Sequence, residues 1–176
     1  MREMSLSEFA IHLAEVAATE AVEIQKGLGH AAEIVEKAAK KQIGHYQPAV
    51  GPFPAWAPLA ESTQAQRERL GYTPNDPLYR SGELKDHITH TVEAFEAMIG
   101  VKEGDVDERG TDIGDIAIWM ELGTRRVPAR PYLGPAAYRT KKKVGRILAA
   151  SAVAGIVGGD FIHHSLGYDM EAVAED

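Results

Sequence analysis

A chain of 176 residues that is 44% hydrophobic, 26% charged and only 7% aromatic has the make-up of one globular domain with a lean core. Its formal net charge of −7 argues against a general nucleic-acid coat, and the absence of cysteine removes disulfides and thiolate metal sites. The longest apolar stretch, Ile147–Val157, is shorter than the roughly 20 residues a bilayer span needs, and Met1–Ala10, with Glu3 and Glu8, lacks the layout of a leader, so no membrane contact is expected.

Residues 5–43 read as one long helix. Ser5-Leu6-Ser7-Glu8 fits a capping box, and Phe9, Leu13, Val16, Ile24, Leu28, Ile34 and Val35 follow at helical spacing. Gly27 and Gly29 weaken its middle and are expected to bend it, and Gly44 is a stop signal. The apolar stripe needs a partner surface, either the chain's own sheet or a neighbouring subunit.

Residues 46–77 form a Pro-rich extended arm. Pro48, Pro52, Pro54 and Pro58 break regular structure, Phe53 and Trp56 offer aromatic anchors, and a short polar helix over Leu59–Leu70 ends at Gly71. A helix and hairpin core follows over 78–135. Ser81 or Gly82 opens a helical turn, Thr89–Phe95 and Ala97–Val101 pair as a β-hairpin, and Glu103–Gly110 is a polar turn. Ile113–Leu122 is a short helix with Ile113, Ile116, Ala117 and Met120 on one side, ended by Gly123; Arg125–Pro135 is a Pro/Arg loop or edge strand. A second long helix runs over 136–158 and stops at Gly158-Gly159, leaving an acidic tail over 159–176. The expected fold class is α+β: long N-terminal and C-terminal helices packed on a small antiparallel sheet, in a single domain over 1–158.

Charge is segregated. Glu103–Glu121 holds seven acids and one base, Gly123–Arg146 holds eight bases and no acid, and the first helix is acidic as well. Separated blocks suit head-to-tail docking of copies on one another; blocks that face each other within one fold, or are simply solvated, are the equally weighted alternative. The segment Arg139, Lys141, Lys142, Lys143 is the place where DNA contact is expected if there is any, although it lacks aromatic interleaving.

No motif for catalysis is found, and no cofactor or metal is expected. His87 and His90 lack the carboxylate pattern of a zinc helix, His163 and His164 are adjacent and so diverge, and Asp105–Gly110 lacks the ligand spacing of a calcium loop. No nucleophile elbow or phosphate loop is present; a hydrolase using Asp112 and Asp115 has no motif behind it.

Two segments carry a resemblance. Leu78-Tyr79-Arg80-Ser81-Gly82-Glu83-Leu84-Lys85-Asp86-His87-Ile88, together with Ile116–Leu122, Gly123-Thr124 and Pro128-Ala129-Arg130-Pro131-Tyr132-Leu133-Gly134-Pro135-Ala136, resembles the tailed-phage neck and tail-completion family of virion morphogenesis or minor tail proteins. It covers about residues 24–148; the arm is longer than that family's linker and the tail departs from it. The resemblance implies a non-enzymatic virion protein, made in the host cytoplasm, that forms a six-fold or twelve-fold ring joining head and tail. Its partners would be sister copies and the neighbouring connector and tail-terminator or tail-tube proteins. The residues expected at its interfaces are Phe53, Trp56, Asp112, Asp115, Glu121, Arg125, Arg126, Arg130 and Tyr132, with Arg130 held on a stiff Pro-flanked backbone to meet a carboxylate.

Overall fold

A computed structural model of the protein describes residues 5–157. The elements run α1 (Leu6–Gln42), α2 (Glu61–Arg69), α3 (Glu83–His87), β1 (Ile88–Glu93), β2 (Glu96–Val101), α4 (Ile113–Leu122) and α5 (Leu133–Val157). β1 and β2 form the two-stranded antiparallel sheet, so the chain is α+β as expected. No helix among the described residues is long and apolar enough to cross a membrane. The tail over 159–176 and the His163/His164 pair lie outside the described residues.

Local signals explain most boundaries. The capping box forms: the Ser5 N–H donates to Glu8 at 2.8 Å and the Glu8 N–H donates to the Ser5 hydroxyl at 3.3 Å. These bonds hold the Glu8 carboxyl below its usual pKa. The Gly44 N–H past the end of α1 donates to the Pro77 carbonyl at 2.8 Å, with Gly44 at φ +94°. The hairpin turn is Ala94-Phe95. α4 occupies the expected residues, with the Asp112 carboxylate capping it. α5 starts three residues before the expected 136, because Pro135 sits in the first turn, where a missing N–H costs nothing.

The described chain resolves into two compact units. One takes α1 up to Ala31, the hairpin turn at Val92–Ala97, and α5 from Lys143; the other takes Ala32–Thr91 and Met98–Lys142. In the first unit the helices approach closely through small residues. A Cβ on Gly27 would lie 2.1 Å from the Ser151 hydroxyl, and one on Gly155 would lie 2.3 Å from the Glu20 Cα. Gly27 is thus a packing contact of α1. Gly29 has nothing within 4 Å of the place a Cβ would take.

The core of the second unit gathers Ala39, Ile43, Trp56, Leu84, Ile88, Ile113, Ala117, Tyr132 and Ala136. The arm contributes Trp56, which is 5% exposed and donates its indole N–H to the Pro131 carbonyl at 2.9 Å. The arm therefore folds back onto its own chain at this residue. His90 lies beside Glu36, with Nδ1 2.5 Å from the carboxylate; Lys40 reaches the same carboxylate at 2.6 Å. Burial works against the charged form of Glu36, and the Lys40 and His90 hydrogen bonds outweigh it, holding the carboxyl below its usual range.

The glycines give a paired test. Gly29→Ala is expected to stabilise the protein by up to about 1 kcal/mol through helix propensity. Gly155→Ala is expected to cost about 1–3 kcal/mol, because backbone must move to admit the methyl group. Urea unfolding followed by circular dichroism measures both; equal effects from the two would contradict the close helix contact.

Candidate functional site

The motif that spans α4, the loop after it and the start of α5 builds a joint within the second unit. Glu121, near the end of α4, turns its carboxylate onto the N-terminus of α5. Its Oε2 accepts the N–H groups of Tyr132 at 2.7 Å and Leu133 at 3.0 Å, and Oε1 accepts that of Gly134 at 2.8 Å. The next residue, Pro135, has no N–H to satisfy. One carboxylate thus satisfies the first donors of a 25-residue helix and places negative charge at the positive end of its dipole.

Two glycines give this carboxylate access. Gly123, at φ +77°, passes so close to the returning loop that a Cβ would sit 2.7 Å from the Ala129 nitrogen. A Cβ on Gly134 would lie 2.6 Å from the Phe53 ring and 3.2 Å from Glu121. Phe53 packs there on the start of α5 and meets the Tyr138 ring edge-on at 6.4 Å.

Arg130 ties the same loop to the arm. It is 4% exposed, and it donates from Nε to the Ala57 carbonyl at 3.1 Å and from a guanidinium nitrogen to the Pro58 carbonyl at 3.0 Å, while its backbone N–H donates to Met120 at 2.7 Å. The expected carboxylate partner is replaced by two backbone carbonyls, because the arm turns back at Trp56 and carries its peptide groups past the guanidinium. Tyr132 is fully buried; burial, then the charge of Glu121, pushes its phenol pKa up. Gln42 reaches its carbonyl from the end of α1 at 2.9 Å.

The expected interface residues therefore divide. Trp56, Glu121, Arg130 and Tyr132 are joined in the chain's own fold. Asp112 accepts the Gly114 and Asp115 N–H groups as the cap of α4, and Asp115 is exposed. Arg125 and Arg126 are exposed on the loop, and neither they nor Arg130 pairs with an acid among the described residues. The acidic block is largely engaged locally. Asp107 is buried and accepts the Arg109 and Thr111 N–H groups at 2.9 Å, with Arg80 3.5 Å away. The Asp105–Gly110 turn thus holds itself together, and no group of three or more potential metal ligands occurs among the described residues.

On α5, Arg139 donates to the Gln47 side chain at 2.9 Å and Lys141 lies 3.9 Å from the centre of the Tyr138 ring. Lys142 is exposed and Lys143 half-buried.

A surface that the charge pattern did not reveal lies on α4. Ile113 and Ala117 face the core, while Ile118, Trp119 and Leu122 point away from it, Leu122 being 74% exposed. The readable signal is that Ile116–Met120 is an unbroken apolar run with Leu122 just beyond it, more than one core face requires.

Glu121→Ala and Arg130→Ala are each expected to cost about 2–4 kcal/mol, since both leave buried backbone groups without partners. Arg125→Ala and Arg126→Ala should stay within about 0.5 kcal/mol. Denaturant unfolding distinguishes the pairs, and a neutral Glu121→Ala would refute the joint.

Asp107 supplies a pH test. The Thr111 N–H is the largest influence, burial opposes it, and the Arg109 N–H and Arg80 add to it, so the carboxyl sits below its usual pKa. A depressed folded-state pKa stabilises at neutral pH and the contribution is lost as pH falls below about 4. Asp107→Asn should lower neutral stability and flatten the acid limb of the stability–pH curve; an unchanged acid limb would contradict the assignment.

Set against protein-family models, curated proteins and solved structures, the chain matches none of them.

Proposed function

We propose that this chain is a non-catalytic structural subunit of the neck or tail-completion region of a tailed-phage particle, acting as one copy in a closed ring between head-completion proteins and the tail. The observation that carries this reading is the amount of large apolar surface exposed on regular helices among the described residues: Leu6, Phe9, Ile11 and Leu13 on α1, and Ile118, Trp119 and Leu122 on α4. Monomers seldom present such faces, whereas subunits of assemblies do. The resemblance over residues 24–148 supplies the particular assembly, and its motif coincides with the Glu121–Arg130 joint. A rigid joint carrying exposed apolar and basic outer faces suits a subunit that must meet different neighbours on different sides. Closed symmetry is favoured because an unclosed head-to-tail contact would polymerise.

A second reading draws on α5. Arg139, Lys142, Lys143 and Arg146 stand at i, i+3, i+4 and i+7, so one side of the helix carries a basic stripe that could meet DNA passing through a channel.

Light scattering and negative-stain microscopy of the purified chain, with mass spectrometry of purified particles, test the first reading. Closed rings and virion peptides are expected; a chain that stays single when concentrated, and is missing from particles, overturns it. DNA binding that weakens steeply with salt and is lost in Lys142→Glu with Arg146→Glu would favour the second.

A further inference from the structure

The exposed residues of α4 all share one face. Asp115, Ile118, Trp119 and Leu122 stand at i, i+3, i+4 and i+7, while Ile113 and Ala117 are buried on the opposite side. Two bases follow this face. Arg125 and Arg126 sit on a turn that is held shut: the Thr124 N–H donates to the Val127 carbonyl at 2.8 Å, and the Thr124 hydroxyl accepts the Arg126 and Val127 N–H groups at 3.2 and 3.1 Å. Both arginines are exposed, and neither they nor the Asp115 carboxylate has an ion-pair partner among the described residues.

The surface is thus acidic at its start, apolar in the middle and basic at its end. That order is its own complement. Met120, the midpoint between Asp115 and Arg125, is also the middle of the stretch from Ile118 to Leu122. The antiparallel register that sets each acid beside the other copy's arginines therefore also sets the apolar groups against each other. A parallel register brings acid to acid and base to base.

We propose that the outer face of α4 pairs with the same face of a second copy, antiparallel across a two-fold axis. Trp119 lies near the centre, and Asp115 of each copy meets Arg125 and Arg126 of the other. An aromatic anchor with aliphatic neighbours and arginines is the composition that concentrates binding energy at interfaces. The closed Thr124 turn fixes the arginine backbone beforehand, so less order is lost on pairing. One short helix and its turn from each copy make a small contact, so a micromolar dissociation constant is expected. An isologous contact stops at two copies, and it relates copies that point opposite ways, so it does not link neighbours around a cyclic ring. It goes beyond the ring reading and does not depend on it.

Sedimentation of the full chain at rising concentration, with tryptophan fluorescence, tests the pairing. A passage from one copy to two is expected, with a blue shift that Trp119→Phe removes, because Trp56 is already buried. Trp119→Asp should raise the dissociation constant about thirty-fold or more and keep the helical spectrum. Asp115→Arg, and Arg125→Glu with Arg126→Glu, should each weaken pairing. Mixed together, these two variants should form heterodimers more tightly than either pairs with itself, since both charge contacts are then matched. The proposal is overturned by a mixture that gains nothing or by growth beyond two copies through this face. It is overturned too by a Trp119 emission that is blue at every concentration, which would mean that the chain covers the face itself. A dimer that meets these tests in a chain that is missing from particles and forms no rings keeps this contact and sinks the ring reading. Rings in which Trp119 stays in water do the reverse.

Discussion

The described second unit depends on a single carboxylate placed where a helix begins. Glu121 gathers the first N–H groups of α5, and those groups have no other acceptor among the described residues. The loop between the carboxylate and the helix must then return on itself within 11 residues, from Glu121 to Tyr132. Gly123 provides the backbone conformation that lets it turn, and Pro135 removes the donor the carboxylate does not reach. Arg130, Trp56 and Gln42 bring the arm and the end of α1 to the same place. Remote parts of the sequence are thereby fixed around one ion without any long sheet.

Such an arrangement explains how a lean core suffices. The second unit buries few aromatic side chains, and much of its order comes from polar groups that satisfy the ends of helices and the peptide groups of an irregular arm. Buried backbone that lacks a ladder must find side-chain partners. Here Arg130 and Trp56 are those partners, which is why the Pro-rich arm lies against its own chain at Trp56.

Much of the fold was legible because its signals are local. The Ser5–Glu8 box, the apolar period of α1, the glycine after α4 and the hairpin each need only a short window, and α4 came out at its observed residues. The start of α5 was missed because Pro135 reads as a breaker until the helix is known to begin before it. The site was less legible. Trp56 meets Pro131 across 75 residues and Arg130 meets Ala57 across 73, and neither pairing has a periodicity to betray it. The charge blocks misdirected for a related reason. A count of acids does not distinguish a solvated carboxylate from one that caps a helix, as Asp112 and Glu121 do, or closes a turn, as Asp107 does. The outer face of α4 was hidden in the opposite way, since its apolar residues read as core.

Arg130 is enclosed by carbonyl oxygens and its neighbours exclude solvent, whereas Arg125 and Arg126 stand in water. Dissolved ions screen the second kind of contact strongly and the first hardly at all. The molecule therefore separates two responses to its medium. Concentrated electrolyte should loosen whatever the exposed guanidinium groups hold while leaving each chain's internal architecture intact, so copies can be parted and rejoined without being melted.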